Sequence, residues 1–150
     1  AGGAARALVH ALVTSGVKNL LISNRTADRA RALAAELAPD AEVVAWEDRD
    51  AALAEADIVV NATALGLKGE NDLVMDWAKA RTGAIVFDSV YTPLVTGFLG
   101  GARQAGLKTI DGLDMLIGQA RPSFRAFFGQ DAPADPPVRP VLLEALGARP

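Results

Sequence analysis

The 150-residue sequence contains no cysteine and only one histidine. Without cysteine the chain can form no disulfide, no thiol nucleophile and no Cys-ligated metal site. A single histidine also leaves no His cluster for a metal ion and no Ser-His-Asp triad. These absences disfavour most catalytic classes, and we expect no metal site.

Long apolar runs and an excess of one charge are absent as well. No stretch approaches the roughly 20 apolar residues of a membrane helix, and the first residues do not have the basic start and apolar core of a signal peptide. The net charge is -3, with both signs mixed along the chain, so we expect no basic face for nucleic acid. The sequence therefore predicts a cytoplasmic protein that binds neither membranes nor nucleic acid.

Aliphatic residues dominate what remains, since 51% of the residues are hydrophobic and only 5% are aromatic. Apolar, β-rich runs alternate with helical patterns, which predicts an α/β fold with a parallel sheet. Five strands are predicted, at residues 19–23, 42–46, 57–63, 84–90 and 108–111. Helices are predicted up to about Ser15, after a Thr26 cap, from Thr96 to Gly106, and over 113–128 and 140–146, with a proline-rich loop at 132–140.

The chain opens on what reads as a turn between a strand and its helix. In a doubly wound, Rossmann-like sheet of strand order 3-2-1-4-5-6, the first strand lies in the middle. Without it, the strands that begin at Asn19 and Asp57 would flank an empty slot, at about 1–3 kcal/mol for each buried unsatisfied backbone group. We therefore expect residues 1–150 to be one domain of a longer protein.

The opening turn is also a candidate phosphate site. It consists of five small residues: Ala1, Gly2, Gly3, Ala4 and Ala5. Small residues that open a helix let free backbone N–H groups and the helix dipole meet a pyrophosphate. The same residues could equally form a simple tight turn into an Ala-rich helix.

A second candidate site follows the second strand of such a fold, about 20 residues after the turn, where dinucleotide-binding folds recognise the ribose. Four polar residues occupy it: Asn24, Arg25, Thr26 and Arg29. Two guanidinium groups and a hydroxyl suit a 2′-phosphate, so NADP is favoured over NAD. In the alternative, Arg25 and Arg29 are ordinary surface charges that pair with Asp28 or Glu36.

At the end of the next sheet strand, Asn61 and Thr63 alternate on one side. They could line a cofactor cleft. They could also simply end a buried strand with satisfied turn hydrogen bonds, and periodicity alone favours this second reading.

Two further segments carry a family resemblance: residues 87–96, which end a strand, and residues 111–120, which open a helix before Phe124 and Gly129. With the Gly-Gly-Ala turn, Asn-Arg-Thr and Asn-Ala-Thr, they resemble in order and spacing the C-terminal half of the shikimate dehydrogenase family, over essentially the whole chain. An Asn-Arg-Thr after a glycine turn also occurs in glutamyl-tRNA reductases, but residues 112–119 resemble the shikimate enzymes specifically.

The resemblance implies an NADP-linked reduction of 3-dehydroshikimate to shikimate, in aromatic amino-acid biosynthesis, with the substrate in a cleft shared with a preceding domain. It assigns the pyrophosphate to residues 1–5 and the 2′-phosphate to residues 24–26 and Arg29. It implies further cofactor contacts from Thr63, Ser89, Gly112 and Met115. Ser89 stands where a larger apolar residue is expected, so its contact would be made through the backbone.

The resemblance also implies that Tyr91 and Gln119 reach the substrate. Both have a structural alternative: Tyr91 could be a half-buried core residue with a satisfied hydroxyl, and Gln119 could cap or bridge helices. Met115, among the cofactor residues, could likewise be a core residue. We also consider a homodimer.

The family's proton donor is a lysine paired with an aspartate in the preceding domain. The resemblance thus implies that residues 1–150 hold no catalytic residue and are inactive alone. Two alternatives remain open. One is a related enzyme acting on quinate or an amino analogue of shikimate, and the other is a non-catalytic NADP-binding module.

Overall fold

The computed structural model describes residues 2–133 and 137–147. Ala1, one of the predicted pyrophosphate residues, lies outside them. In this part of the chain the α-helices are α1 (Gly3–Thr14), α2 (Ala27–Leu37), α3 (Gly97–Gln104), α4 (Gly112–Phe128) and α5 (Val138–Ala145). The strands are β1 (Leu21–Ser23), β2 (Glu42–Val44), β3 (Ile58–Asn61), β4 (Ile85–Asp88) and β5 (Lys108–Ile110).

All strand pairs are parallel, and within the described residues they form two sheets. One sheet pairs β1 with β2, and the other has the order β3-β4-β5. These pairings are those of the two halves of the predicted doubly wound arrangement, and among the described strands β1 and β3 are not hydrogen-bonded to each other. The predicted α/β, Rossmann-like architecture is confirmed.

Most predicted helix ends are also confirmed. Thr96 caps α3, with its side chain accepting a hydrogen bond from the Leu99 N–H, and Gly106 follows that helix with a φ of +78°. The last helix starts two residues earlier than predicted, at Val138, and includes Pro140. A proline is tolerated in the first turn, where its missing N–H would have no helical acceptor. Residues 134–136 of the predicted loop lie outside the described part.

The prediction of a helix between every pair of strands is wrong at two connections. The links from β2 to β3 and from β3 to β4 contain short 3₁₀ helices, at Trp46–Asp48, Ala51–Ala54 and Trp77–Lys79. In the second link, Gly66 and Gly69 have φ values of +92° and +94°, which a right-handed helix cannot accommodate. Each observed strand is also shorter than its predicted run: β1 begins two residues later, and the other four strands end before the run does.

The buried apolar side chains form two clusters. The first lies between β1, α1 and α2 and comprises Val9, Ile22, Ala30, Leu33, Ala34 and Ala38. The second lies around β4 and α3 and comprises Leu73, Val86, Phe98, Leu99 and Ala102. Trp46 and Trp77 pack against the second cluster, and the Trp77 ring meets the Phe98 ring edge-on at 5.0 Å. None of the described helices is both long and apolar enough to cross a bilayer.

Candidate functional site

The candidate residues follow the carboxyl ends of the strands. Asn24 comes after β1, Thr63 after β3, Ser89 after β4 and Gly112 shortly after β5. Ligands of open parallel sheets bind at the edge where these strand ends meet. The fold therefore collects the predicted positions at the side of each sheet where binding is expected.

The N-terminus of α1 is open. Gly2 is its extended N-cap residue and makes no side-chain capping bond, and the first backbone bond of the helix runs from the Arg6 N–H to the Gly2 carbonyl at 3.2 Å. The N–H groups of Gly3, Ala4 and Ala5 precede that bond and have no helical acceptor. A Cβ built on Gly2 or Gly3 would meet no atom within 4 Å. Among the described residues, unpaired donors and open space beside the two glycines thus occur together, which fits an anionic group such as a pyrophosphate.

The segment after β1 forms a small polar turn. The Asn24 side-chain oxygen accepts a hydrogen bond from the Thr26 N–H at 3.0 Å. Thr26 occupies the predicted N-cap position of α2, but its hydroxyl makes no capping bond. Within the described residues the Thr26 hydroxyl has no hydrogen-bond partner, and the neighbouring Arg25 is exposed.

The acidic residues that could have neutralised the two arginines are paired elsewhere. Asp28 Oδ1 accepts from Arg31 at 2.7 Å. Glu36 Oε2 accepts from Arg6 at 2.7 Å, and this hydrogen bond lowers the pKa of the Glu36 carboxyl. Within residues 2–133 and 137–147, Arg25 and Arg29 therefore form no salt bridge. Arg29 instead lines a depression between α1 and α2, with Arg6 on its other side.

At the end of β3, Asn61 organises a turn. It is 1% exposed, and its Oδ1 accepts from both the N–H of Thr63 at 3.0 Å and the hydroxyl of Thr63 at 2.8 Å. The Thr63 hydroxyl in turn accepts from the Leu65 N–H at 3.0 Å. The turn reading of these two residues is thus what the structure contains, and the Thr63 hydroxyl is already engaged.

A buried carboxylate lies next to this turn. Asp88 pairs in register with Asn61 and is fully buried. Its Oδ1 accepts from Asn61 Nδ2 at 3.0 Å and from the Val90 N–H at 2.9 Å, and its Oδ2 accepts from the Thr96 hydroxyl at 2.6 Å. Burial raises the pKa of Asp88, although the hydrogen bonds from Thr96, Val90 and Asn61 oppose that rise.

The start of α4 lies directly against the end of β4. A Cβ on Gly112 would lie 2.5 Å from the Ser89 carbonyl oxygen and 2.6 Å from that of Val90. Only glycine fits this approach. The structure thus brings together Ser89 and Gly112, two residues expected on the nicotinamide side.

The two predicted substrate residues, Tyr91 and Gln119, are exposed, whereas the predicted cofactor residue Met115 is half-buried. Tyr91 is 40% exposed, and within the described residues its hydroxyl makes no hydrogen bond, so it is not a core residue with a satisfied hydroxyl. Gln119 is exposed on α4, where its backbone carbonyl accepts from the Ser123 hydroxyl at 3.1 Å. Met115 is half-buried on the same helix.

Sequence reasoning assigned no role to Asp88 or to the ion pair between Asp111 and Arg139. The signal for Asp88 was its position at the end of an apolar run, because a carboxylate that is buried there needs hydrogen-bonding partners. No signal pointed to Arg139, whose partner lies 28 positions away. In the described part of the chain, no three His, Asp or Glu side chains are grouped as metal ligands would be.

Comparison with known proteins identifies the class to which this fold and site belong. The profile of the Shikimate / quinate 5-dehydrogenase family matches residues 1–113, and that of the Shikimate 5′-dehydrogenase C-terminal domain matches residues 112–138. The chain belongs to the shikimate / quinate 5-dehydrogenase family, which confirms the resemblance found in the sequence.

Curated relatives within this family are similar in sequence to almost the whole chain. The chain is 53% identical over 149 residues to shikimate dehydrogenase (NADP(+)) of Maricaulis maris, which covers 99% of this chain and 53% of that protein. The chain therefore spans about half the length of such curated relatives.

Two solved structures have a similar fold over most of this chain. Quinate dehydrogenase from Corynebacterium glutamicum in complex with NAD superposes with a TM-score of 0.80 at 35% identity, over 87% of this chain and 48% of that one. Shikimate 5-dehydrogenase from Thermus thermophilus in complex with NADP(H) and shikimate superposes with a TM-score of 0.76 at 35% identity, over 88% and 48%.

Proposed function

We propose that this chain is the cofactor-binding portion of an NADP-dependent shikimate dehydrogenase, an oxidoreductase that interconverts 3-dehydroshikimate and shikimate. The observation that carries the proposal is the pairing of an open helix N-terminus at α1 with two arginines beyond β1 that have no acidic partner among the described residues. A pyrophosphate and a 2′-phosphate are the two anionic groups that such sites suit. The names of the relatives support the same reaction.

Within this proposal, each cofactor residue has a separate task. The N–H groups of residues 1–5 hold the pyrophosphate, while Asn24 orients the turn from which Arg25, Thr26 and Arg29 bind the 2′-phosphate. Thr63, Ser89, Gly112 and Met115 line the nicotinamide side, and Ser89 contributes through its backbone. When bound, the dinucleotide supplies or accepts the hydride, and the chain's own residues bind it and orient it.

The substrate side is proposed to contain Tyr91 and Gln119. Both are exposed, and the Tyr91 hydroxyl, which has no hydrogen-bond partner within the part of the chain that the structure describes, would donate to a substrate oxygen. Shikimate is rich in hydroxyl groups and carries a carboxylate, so polar side chains of this kind would fix its orientation.

We further propose that a preceding domain completes the enzyme. Among the described strands, β1 and β3 are each paired on one side only, and a central strand would supply the second partner of both. That domain would also provide the proton donor and the rest of the substrate cleft. The chain's coverage of about half of its relatives supports this division. A cytoplasmic location and a homodimeric assembly belong to the same proposal.

Quinate is the second candidate substrate. The superposition on a quinate dehydrogenase that carries NAD is as close as any quoted above. Ser89 also departs from the larger residue expected beside the nicotinamide. A quinate-specific enzyme would differ mainly in substrate-pocket residues outside this chain.

The deciding experiment is an oxidation assay on the complete enzyme, in which the absorbance of the reduced cofactor is followed. Shikimate and quinate are each offered with NADP and with NAD. Turnover that is fastest with shikimate and NADP is the expected result. Turnover only with quinate or only with NAD would assign the chain to a sister enzyme, and absence of turnover in all four mixtures would favour a cofactor-binding module.

A further inference from the structure

The two oxygens of the buried Asp88 carboxylate face different parts of the molecule. Oδ1 accepts from Asn61, which ends β3, and from the Val90 N–H, which follows the end of β4. Among the described residues, Oδ2 accepts only from the hydroxyl of Thr96, the residue that caps α3. The Asp88 side chain therefore connects the ends of β3 and β4 through Oδ1 and the start of α3 through Oδ2.

The first path from Oδ1 leads to the cofactor side. Asn61 donates one amide hydrogen to Asp88 and the other to the Leu65 carbonyl, and its oxygen holds the N–H and hydroxyl of Thr63. Because Asn61 uses its amide group on both sides, Asp88 fixes which way that amide faces. The orientation of the Thr63 turn depends on that choice.

The second path leads to the substrate side. The Val90 N–H that Oδ1 accepts belongs to the residue immediately before Tyr91. The two loops also touch directly, since the Lys68 N–H donates to the Thr92 carbonyl at 3.3 Å. Asp88 thus lies at the point where the Thr63 turn and the Tyr91 loop leave neighbouring strands.

We propose that Asp88 is a positioning residue. Its Oδ1 fixes the turn that contains Thr63, after β3, relative to the loop that contains Tyr91, after β4, and thereby fixes the cofactor relative to the substrate. The proposal deepens the proposed dehydrogenase function and rests on it. A carboxylate suits the task, because Oδ2 accepts the bond from Thr96 and leaves Oδ1 to accept the two bonds from Asn61 and Val90. Keeping this carboxylate buried is costly, as its raised pKa indicates.

Three variants of the complete enzyme test the proposal. Asp88→Ala removes both oxygens, whereas Asp88→Asn keeps one acceptor oxygen for Asn61 and Val90. Thr96→Val is the matched control, because it removes the hydrogen bond on Oδ2 and leaves Oδ1 untouched. For each variant, the melting temperature, the KM for shikimate and the Kd for NADP are measured separately.

Asp88→Ala is expected to raise both the KM for shikimate and the Kd for NADP by roughly tenfold, since small misplacements of binding groups cost rate and affinity. Asp88→Asn should restore both constants to within about threefold of the parent. Thr96→Val should melt earlier yet keep both constants within about twofold of the parent. A folded Asp88→Ala protein with parental constants, or a Thr96→Val protein whose constants shift as much, would overturn the proposal.

Asn61→Ala keeps the test decisive if Asp88→Ala does not fold. It cuts the path to Thr63 and leaves the Val90 bond to Asp88, so the Kd for NADP should rise more than the KM for shikimate. Equal shifts in the two constants would contradict the two-path arrangement. If the parent binds NADP without oxidising shikimate, the proposed function fails, but the Kd values of these variants still decide the role of Asp88.

Discussion

Arg139 Nη2 lies 2.5 Å from Oδ2 of Asp111, and its Nη1 lies 3.1 Å from Oδ1 of the same carboxylate. This two-pronged ion pair ties α5 to the start of α4, where Asp111 also caps the helix by accepting from the Leu113 N–H at 3.1 Å. Burial alone would raise the pKa of Asp111, but the hydrogen bond and charge of Arg139 outweigh it and lower that pKa. The ion pair therefore holds the end of α4 from which Gly112 approaches β4.

Acid should weaken this ion pair. Because the pKa of Asp111 is lowered on folding, the ion pair stabilises the protein above the unfolded pKa of about 3.9, and this contribution is lost as the pH falls through the lower folded value. Arg139→Gln should reduce the free energy of unfolding by about 1–2 kcal/mol at pH 7, since Arg139 is partly solvated. Urea unfolding at several pH values measures the difference between parent and variant, which should shrink below about pH 4. A difference independent of pH would contradict the ion-pair account.

Gly112→Ala should destabilise the protein by about 1–3 kcal/mol, because the new methyl group would overlap two backbone carbonyl oxygens that cannot rotate away. Gly118→Ala is the matched control on the same helix. No atom lies within 4 Å of its Cβ position, so alanine there should stabilise α4 by about 0.5–1 kcal/mol. Denaturant unfolding of both variants gives the comparison, and equal effects would refute the close approach of α4 to β4.

The double variant Arg25→Ala, Arg29→Ala should weaken NADP binding by roughly tenfold or more while leaving NAD binding almost unchanged, because only NADP carries the 2′-phosphate. Titration calorimetry with each cofactor measures this. Arg31→Ala is the control, since Arg31 lies on the same helix but is paired with Asp28. An equal loss for NADP and NAD would remove the 2′-phosphate assignment.

Tyr91→Phe in the complete enzyme should raise the KM for shikimate by about threefold to tenfold, the cost of one neutral hydrogen bond. The affinity for NADP should stay at the parental value, which serves as the internal control. Steady-state kinetics with shikimate varied at saturating NADP provides the measurement. If the substrate constant is unchanged, Tyr91 does not contact the substrate through its hydroxyl.

The sequence predicted the positions of the strands and the ends of several helices because these depend on local signals, whereas the strand order was expected from the fold class. Thr96 and Gly106 mark the ends of α3 by their own chemistry, and the apolar runs mark the strands. Whether the links on either side of β3 would be α-helical could not be foreseen from such signals, since the apolar pattern of a short segment does not distinguish an α-helix from a 3₁₀ turn.

The contacts of the site were harder to predict because they depend on packing. The pair of Asn61 with Asp88 follows from the β3–β4 register, and the pair of Arg6 with Glu36 follows from how α1 lies on α2. Neither relation exists until the elements are placed. By contrast, the family resemblance alone assigned both Gly112 and Ser89 to the nicotinamide side, and the structure adds that the two residues lie against each other.

The placement of the two tryptophans has an optical consequence. Both contact the cluster around Phe98, and neither belongs to the cluster around Leu33. Intrinsic fluorescence therefore reports on one half of the molecule, while far-ultraviolet circular dichroism also follows α1 and α2. Because the two sheets share no hydrogen bonds among the described strands, we expect the two signals to change at different denaturant concentrations. Added NADP should then shift the dichroism transition more than the fluorescence one.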